Sequence, residues 1–162
     1  MRRDELDVKS RIWLLPGSRT KNGYPHAVPL SDLAVEIIQD GLAVSQEGSP
    51  FVFPSGNGAL PPHAAAVTIV RAQERFGIAP WSAHDLRRTV LTGMAALGVA
   101  PIVLGHVANH RTTTKAGVTL ATYSKYTYDT EKRHALDMWA AKLRGIVDSN
   151  SAPIISLNTR FG

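Results

Sequence analysis

The chain has 162 residues, enough for one domain with a real core, and its 44% apolar content is ordinary for a globular protein. No run approaches the roughly 20 apolar residues of a membrane span, the N-terminal M-R-R-D-E-L-D has no apolar signal segment, and the absence of cysteine excludes disulfides and thiolate metal sites, which fits a cytoplasmic protein. A net charge of +5 and a pI near 9.8 add a moderate bias toward polyanions, weak evidence by itself.

In chain order, residues 11–16 (R-I-W-L-L-P) read as a short strand and 18–25 as a turn, with Asn22-Gly23 the strongest local hairpin signal. Residues 26–30 (H-A-V-P-L) return as a second strand, Pro29 placing it at an edge or at its end. Lys21 then sits at a hairpin tip, where a long stem on a mobile loop can swing; a solvated turn lysine would look the same. Ser31 caps a helix whose apolar face is Leu33, Ile37, Ile38 and Leu42. Phe51-Val52-Phe53 reads as a third short strand ending at Pro54, and a helix over about 62–76, with Val67, Val70 and Ala72 inward, stops at Gly77.

Ser82 and Asp85 form S-x-x-D before an apolar run, a capping-box signature that opens a helix running to about Leu97, where Gly98 stops it. Leu91, Met94, Ala95 and Leu97 supply its buried side. His84 and Arg87 share a face of its first turns, at a helix start that attracts anions. Arginine supplies a permanent planar fork of donors, and histidine donates or accepts near neutral pH. A buried histidine beside a solvated arginine gives the same spacing. Pro101 starts a short helix that carries Leu104, Gly105 and His106. His106 and His110 are four apart, but no acidic residue lies between them and no third ligand is obvious, so the spacing reads as helix-end histidines and not as a metal site. Residues 111–117 read as an exposed basic loop. Tyrosines follow at 123, 126 and 128, with Tyr123 and Tyr126 near one face of a helix. A last helix over 134–147 places Leu136, Trp139, Leu143 and Ile146 on one stripe, Trp139 as a core anchor. Residues 148–162 read as a loose tail.

Histidine, arginine, histidine and tyrosine in that order suit phosphoryl transfer to tyrosine: a nucleophilic oxygen, fixed positive charge for the crowded phosphate, and an imidazole to handle the proton. The phrases H-D-L-R-R-T (84–89), L-G-H (104–106) and Y-S-K-Y-T-Y-D-T-E-K-R (123–133) followed by Trp139 resemble the C-terminal catalytic domain of tyrosine recombinases, the phage-type integrases, over about residues 3–145. The resemblance implies Tyr123 as nucleophile, with Tyr126 as backup, Lys21 as the general acid that protonates the leaving 5′ oxygen, and Arg87, His84 and His106 on the phosphate. Arg88 and Lys125 fall on its DNA-contacting side. It implies double-stranded DNA as partner, other integrase protomers on DNA (a tetramer at full length, a monomer for this chain alone), and no metal or cofactor, because the covalent link conserves bond energy. Type IB topoisomerases share the chemistry, but the spacing around the tyrosine is phage-like.

The family has another catalytic arginine, in a T-G-x-R-x-x-E segment upstream of the hairpin. Arg2 and Arg3 sit too close to the first strand to take that role. The reading is therefore a catalytic domain over 1–147 that resembles the family only downstream of its first arginine, a fragment or truncated product whose recombination is weak. The competing reading is a non-catalytic DNA-binding or assembly remnant. The expected fold is α+β, mainly α, with a small antiparallel sheet at one edge built from residues near 11–16, 26–30 and 51–53.

Overall fold

The computed structural model describes residues 1–56, 58–61, 63–110 and 126–149. Its fold is α+β, mainly α. A three-stranded antiparallel sheet runs in the order β1 (Leu6–Asp7), β2 (Ile12–Leu15), β3 (His26–Pro29). β2 and β3 pair from Ile12↔Pro29 to Leu15↔His26, the hairpin read from the sequence. The third strand is not 51–53. It is Leu6–Asp7, opposite Trp13 and Ile12, while Phe51 makes an isolated bridge to Arg2. Pro50 and Pro54 flank that segment and cannot donate to a ladder. Val52 is fully buried instead, and Pro54–Ser55 (β4) folds into its own ribbon with Gly58–Ala59 (β5).

The first apolar core lies between this sheet and α1 (Asp32–Val44), whose N-cap Ser31 accepts from the Ala34 N–H at 3.4 Å. Leu30, Ile38 and Val52 form its centre, joined by Leu6, Trp13, Val35 and Leu42. Ile37, expected inward, is exposed. The buried stripe runs instead through Ala34, Val35, Ile38 and Leu42, and Ile37 lies about 60° beyond its edge at Ala34. The Phe53 ring lies so close to Gly41 that a Cβ there would collide with it.

The second core joins α3 (Ala83–Ala96), α4 (Pro101–Val107) and α5 (Asp129–Ser149) around Met94, Val103 and Ala135. Trp139 anchors it as expected, packing on Gly93 where a Cβ would strike the indole. Ala95 and Ile146 are exposed, against expectation. α5 starts at Asp129 rather than 134 and runs past 147 to Ser149; residues 150–162 of the tail lie outside the described residues. The helix expected over 62–76 divides into α2 (Ala64–Ala72) and a 3-10 turn (Gln73–Phe76), closed by Gly77 at φ +61°. Val67 and Val70 face solvent; Ile69 and Ala72 take the inner side. Amphipathic spacing fixes that a face exists, but α2 meets α3 through a narrow contact that leaves much of that face open.

Between the two cores runs a polar seam. Lys132 on α5 donates to the Ala27 carbonyl of β3 at 2.8 Å. Arg133 donates to the Ser10 carbonyl at 2.9 Å, and Arg144 reaches Glu36 of α1 at 2.8 Å. Among the described residues no helix is long and apolar enough to cross a membrane.

Candidate functional site

The start of α3 is built as its sequence dictates. Ser82 Oγ accepts from the Asp85 N–H at 3.4 Å, and Asp85 Oδ2 accepts from the Ser82 N–H at 3.0 Å and from its hydroxyl at 2.7 Å. These bonds, led by the Ser82 hydroxyl, hold the Asp85 carboxyl below its ordinary value. A carboxylate thus already occupies the helix start, so attraction for an outside anion rests on side chains and not on the helix terminus. His84 is exposed in the first turn. Arg87, one turn on, donates to the Ala108 carbonyl at the end of α4. Arg88 is exposed and faces Asp85 at 3.7 Å, an ion pair too solvated to hold it firmly.

α4 begins with Pro101 in its first turn and ends on Asn109 at φ +52°, a left-handed position that asparagine tolerates. The His110 N–H closes that end on the Gly105 carbonyl at 2.9 Å. His106 is half-buried in the last turn, its ring stacked on Tyr128 with centroids 4.4 Å apart and planes 28° apart. The left-handed turn presents Asn109 to the β2–β3 hairpin. Asn22 Nδ2 donates to the Asn109 carbonyl at 3.1 Å and to its side-chain oxygen at 3.0 Å. Lys21, exposed, is the preceding residue. One end of one short helix therefore receives Arg87 at Ala108 and the lysine hairpin at Asn109, next to His106.

Two further side chains complete the surroundings. His26, half-buried on β3, hydrogen-bonds the Val107 backbone. Burial first, then the nearby charges of Lys132 and Arg87, push its imidazole below the ordinary value, against the Val107 bond and Asp129. Lys132 is only 4% exposed and pairs with Asp129 at 2.7 Å. Burial raises the Asp129 carboxyl, but hydrogen bonds from Lys132 and Thr127 outweigh it and the result is a lowered value, with His106 contributing. The lowered His26 imidazole is neutral near pH 7, so the fixed charges of this neighbourhood are Lys132 and Arg87, which both act on His26, against the Asp129 carboxylate, with His106 beside it. The sequence reading missed His26, Lys132 and the Asn22–Asn109 link. For Lys132 a signal existed: with Ala135, Leu136 and Trp139 it falls on the buried stripe of α5 at helical spacing.

Tyr123 and Lys125 lie outside the described residues, as does the basic loop expected at 111–117. Tyr126 does not sit on a helix: residues 126–128 precede α5, with Tyr128 at φ +55°. The Tyr126 hydroxyl donates to Glu131 at 2.9 Å, and that bond, with some burial and the carboxylate charge, raises its phenol above the usual value. A phenol so held is a poorer nucleophile than one beside cations. Arg2 and Arg3 are engaged at the other core, Arg2 bridged to Phe51 and the Arg3 N–H bonded to the Pro50 carbonyl at 2.9 Å. Among the described residues no group of three or more His, Asp or Glu side chains is placed to hold a metal.

The chain matches the Phage integrase family over residues 1–127. It is 31% identical over 156 residues to the Prophage integrase IntA of Escherichia coli (strain K12), a match covering 96% of this chain and 36% of that protein. The chain thus spans about a third of the length of the curated relative it matches. No solved structure matches it.

Proposed function

Because this chain belongs to the phage integrase family, whose members carry out site-specific DNA recombination, we propose that it holds the strand-cleaving chemistry of such a recombinase, with Tyr123 as nucleophile. The Tyr123 phenolic oxygen attacks a backbone phosphorus; the new O–P bond forms as the bond to the 5′ oxygen breaks. Lys21 gives its proton to the departing 5′ oxygen, and the DNA is left as a 3′-phosphotyrosine. Attack by a 5′ hydroxyl reverses the step and rejoins a strand, so no outside energy source is required. Arg87, His106 and His84 meet the negative charge that grows on the phosphate oxygens, while Arg88 and Lys125 contact neighbouring backbone. A phenol titrates at about pH 10, so attack at neutral pH calls for positive charge beside it, which Arg87 supplies in this reading.

The observation that carries this reading is the meeting at the end of α4. Arg87 binds Ala108 and the Lys21 hairpin binds Asn109, both within three residues of His106. The catalytic unit runs from residue 1 to the end of α5 at Ser149. It works in the cytoplasm on double-stranded DNA, joined by other integrase protomers. Arg87 is the guanidinium that this reading sets on the phosphate, and losing a donor of this kind costs about 100- to 1000-fold in rate. DNA affinity should fall steeply as salt rises.

Incubation with a nicked duplex that traps the cleaved strand, read on a denaturing gel, tests this. A slow covalent protein–DNA band that vanishes in Tyr123→Phe is expected. A band that persists in Tyr123→Phe rejects the assignment. No band after long incubation, with DNA still bound, supports the second reading, a DNA-binding or assembly remnant.

A further inference from the structure

We propose that Lys132 is a positioning residue for cleavage, locking the hairpin that carries Lys21 to the helix that follows the tyrosine segment. The inference rests on the assignment of Lys21 as the acid. A lysine ammonium 4% exposed has lost nearly all its water, a desolvation cost that a partner charge only partly offsets. Its partners are Asp129, the first residue of α5, at 2.7 Å and the Ala27 carbonyl of β3 at 2.8 Å. Its place on the apolar stripe of α5 would suit a methionine, with no desolvation to offset. Stability therefore does not account for it; connectivity does. Ala27 lies on the hairpin arm returning from Lys21. Asp129 lies directly after the tyrosines at 126 and 128 and a few residues after Tyr123.

The same arm is tied twice more, by Asn22 to Asn109 and by His26 to the Val107 backbone. Both of those ties go to α4. Among the described residues Lys132 supplies the bond from β3 to the helix that continues the nucleophile segment, while Arg133 beside it bonds the Ser10 carbonyl ahead of the other strand. With it in place, the hairpin that carries Lys21 is held against α5 while the exposed Lys21 side chain can swing. Without it, the arm can shift against α5, and a misplacement of about 1 Å is enough to slow a reaction about 100-fold.

The test compares two nicked substrates, one with the natural 5′ oxygen at the scissile phosphate and one with a bridging 5′ sulfur, whose thiolate leaves without a proton. Lys132→Met should slow covalent adduct formation about 10- to 100-fold on the oxygen substrate and less than about 3-fold on the sulfur substrate. Its melting temperature should stay within a few degrees of the parent. Equal slowing on both substrates, or none on either, overturns the inference. Lys21→Ala run alongside separates the two ideas: if sulfur does not rescue it, the acid assignment fails, whatever Lys132 does. A parent chain that forms no adduct on either substrate rejects the cleavage reading and this inference with it. Should Lys132→Met not fold, Asp129→Asn keeps the Ala27 bond while removing the counter-charge. The same sulfur rescue at smaller amplitude is expected there, and its absence overturns the proposal equally.

Discussion

Glu5 and Lys132 are the two charged side chains that this fold buries among the described residues, and they are treated in opposite ways. Glu5 sits at the sheet end of the first core. It takes a bond from the Trp13 indole at 3.1 Å, one from the Arg2 N–H at 3.1 Å, and an ion pair from Arg19. Burial raises its carboxyl, these three donors together outweigh burial, and the result is a lowered value. Lys132 sits on the seam with one carboxylate, and His26, Arg87 and His106 crowd the same neighbourhood. The first charge is balanced and closes a structure. The second stands with the fixed cation Arg87, both acting on His26, against the Asp129 carboxylate, and two cations to one carboxylate is the electrostatic condition for receiving an anion from outside. A buried charge by itself separates neither case; the count of opposing partners does.

Removing each charge should break the parallel. Glu5→Gln leaves Arg19 without its counter-ion and weakens the bonds from Trp13 and Arg2. A loss of about 3 kcal/mol in urea unfolding is expected. Lys132→Met leaves only the half-exposed Asp129 and one carbonyl behind, and the same measurement should move by about 1 kcal/mol or less. If the two losses are equal, the distinction between a structural and a positioning charge is wrong. Gly93→Ala, which drives a Cβ into Trp139, should cost about 1–3 kcal/mol and act on the second core only. Ser82→Ala removes the cap of α3 and should cost about 1 kcal/mol by the same assay.

Acid sharpens the comparison further, with smaller effects. The Glu5 carboxyl is lowered in the fold, so its stabilisation is complete above the ordinary glutamate value, about 4.3, and is lost as pH falls through the folded value. The His26 imidazole is also lowered, chiefly by burial. The folded state therefore binds fewer protons there than the unfolded chain, and stability is lost as pH falls below about 6.5. Stability followed from pH 8 downward should show a shallow His26 limb before the Glu5 limb. His26→Gln should remove the first and leave the second. A profile unchanged by that substitution contradicts the burial of His26 against Lys132 and Arg87.

What was legible in the sequence was local chemistry. Ser31, the Ser82–Asp85 box, Pro101, Gly77 and Gly98 mark helix ends by rules that need only a few neighbours, and Asn22-Gly23 marks the hairpin. What was not legible depended on distant partners. Leu6–Asp7 is too short to show an alternating pattern, whereas the apolar run 51–53 looks like a strand but makes only a single bridge, from Phe51 to Arg2. Val67 and Val70 have helical spacing, but no spacing says how broad the neighbouring surface is. Asn22 meets Asn109 across 87 positions, and only the folded chain brings them together. Within the candidate site, His84, Arg87 and His106 were visible as residue types. The groups that set their surroundings, His26 and Lys132, looked like an ordinary strand residue and one more charge in an acidic-basic run.

The most direct measurement is to identify the amino acid joined to DNA. The covalent adduct formed on a nicked duplex is digested with protease and nuclease, and the nucleotide-bearing peptide is sequenced by mass spectrometry. A 3′-phosphate ester on Tyr123 is the result expected. Attachment at Tyr126 or Tyr128, or at a residue that is not tyrosine, contradicts the account.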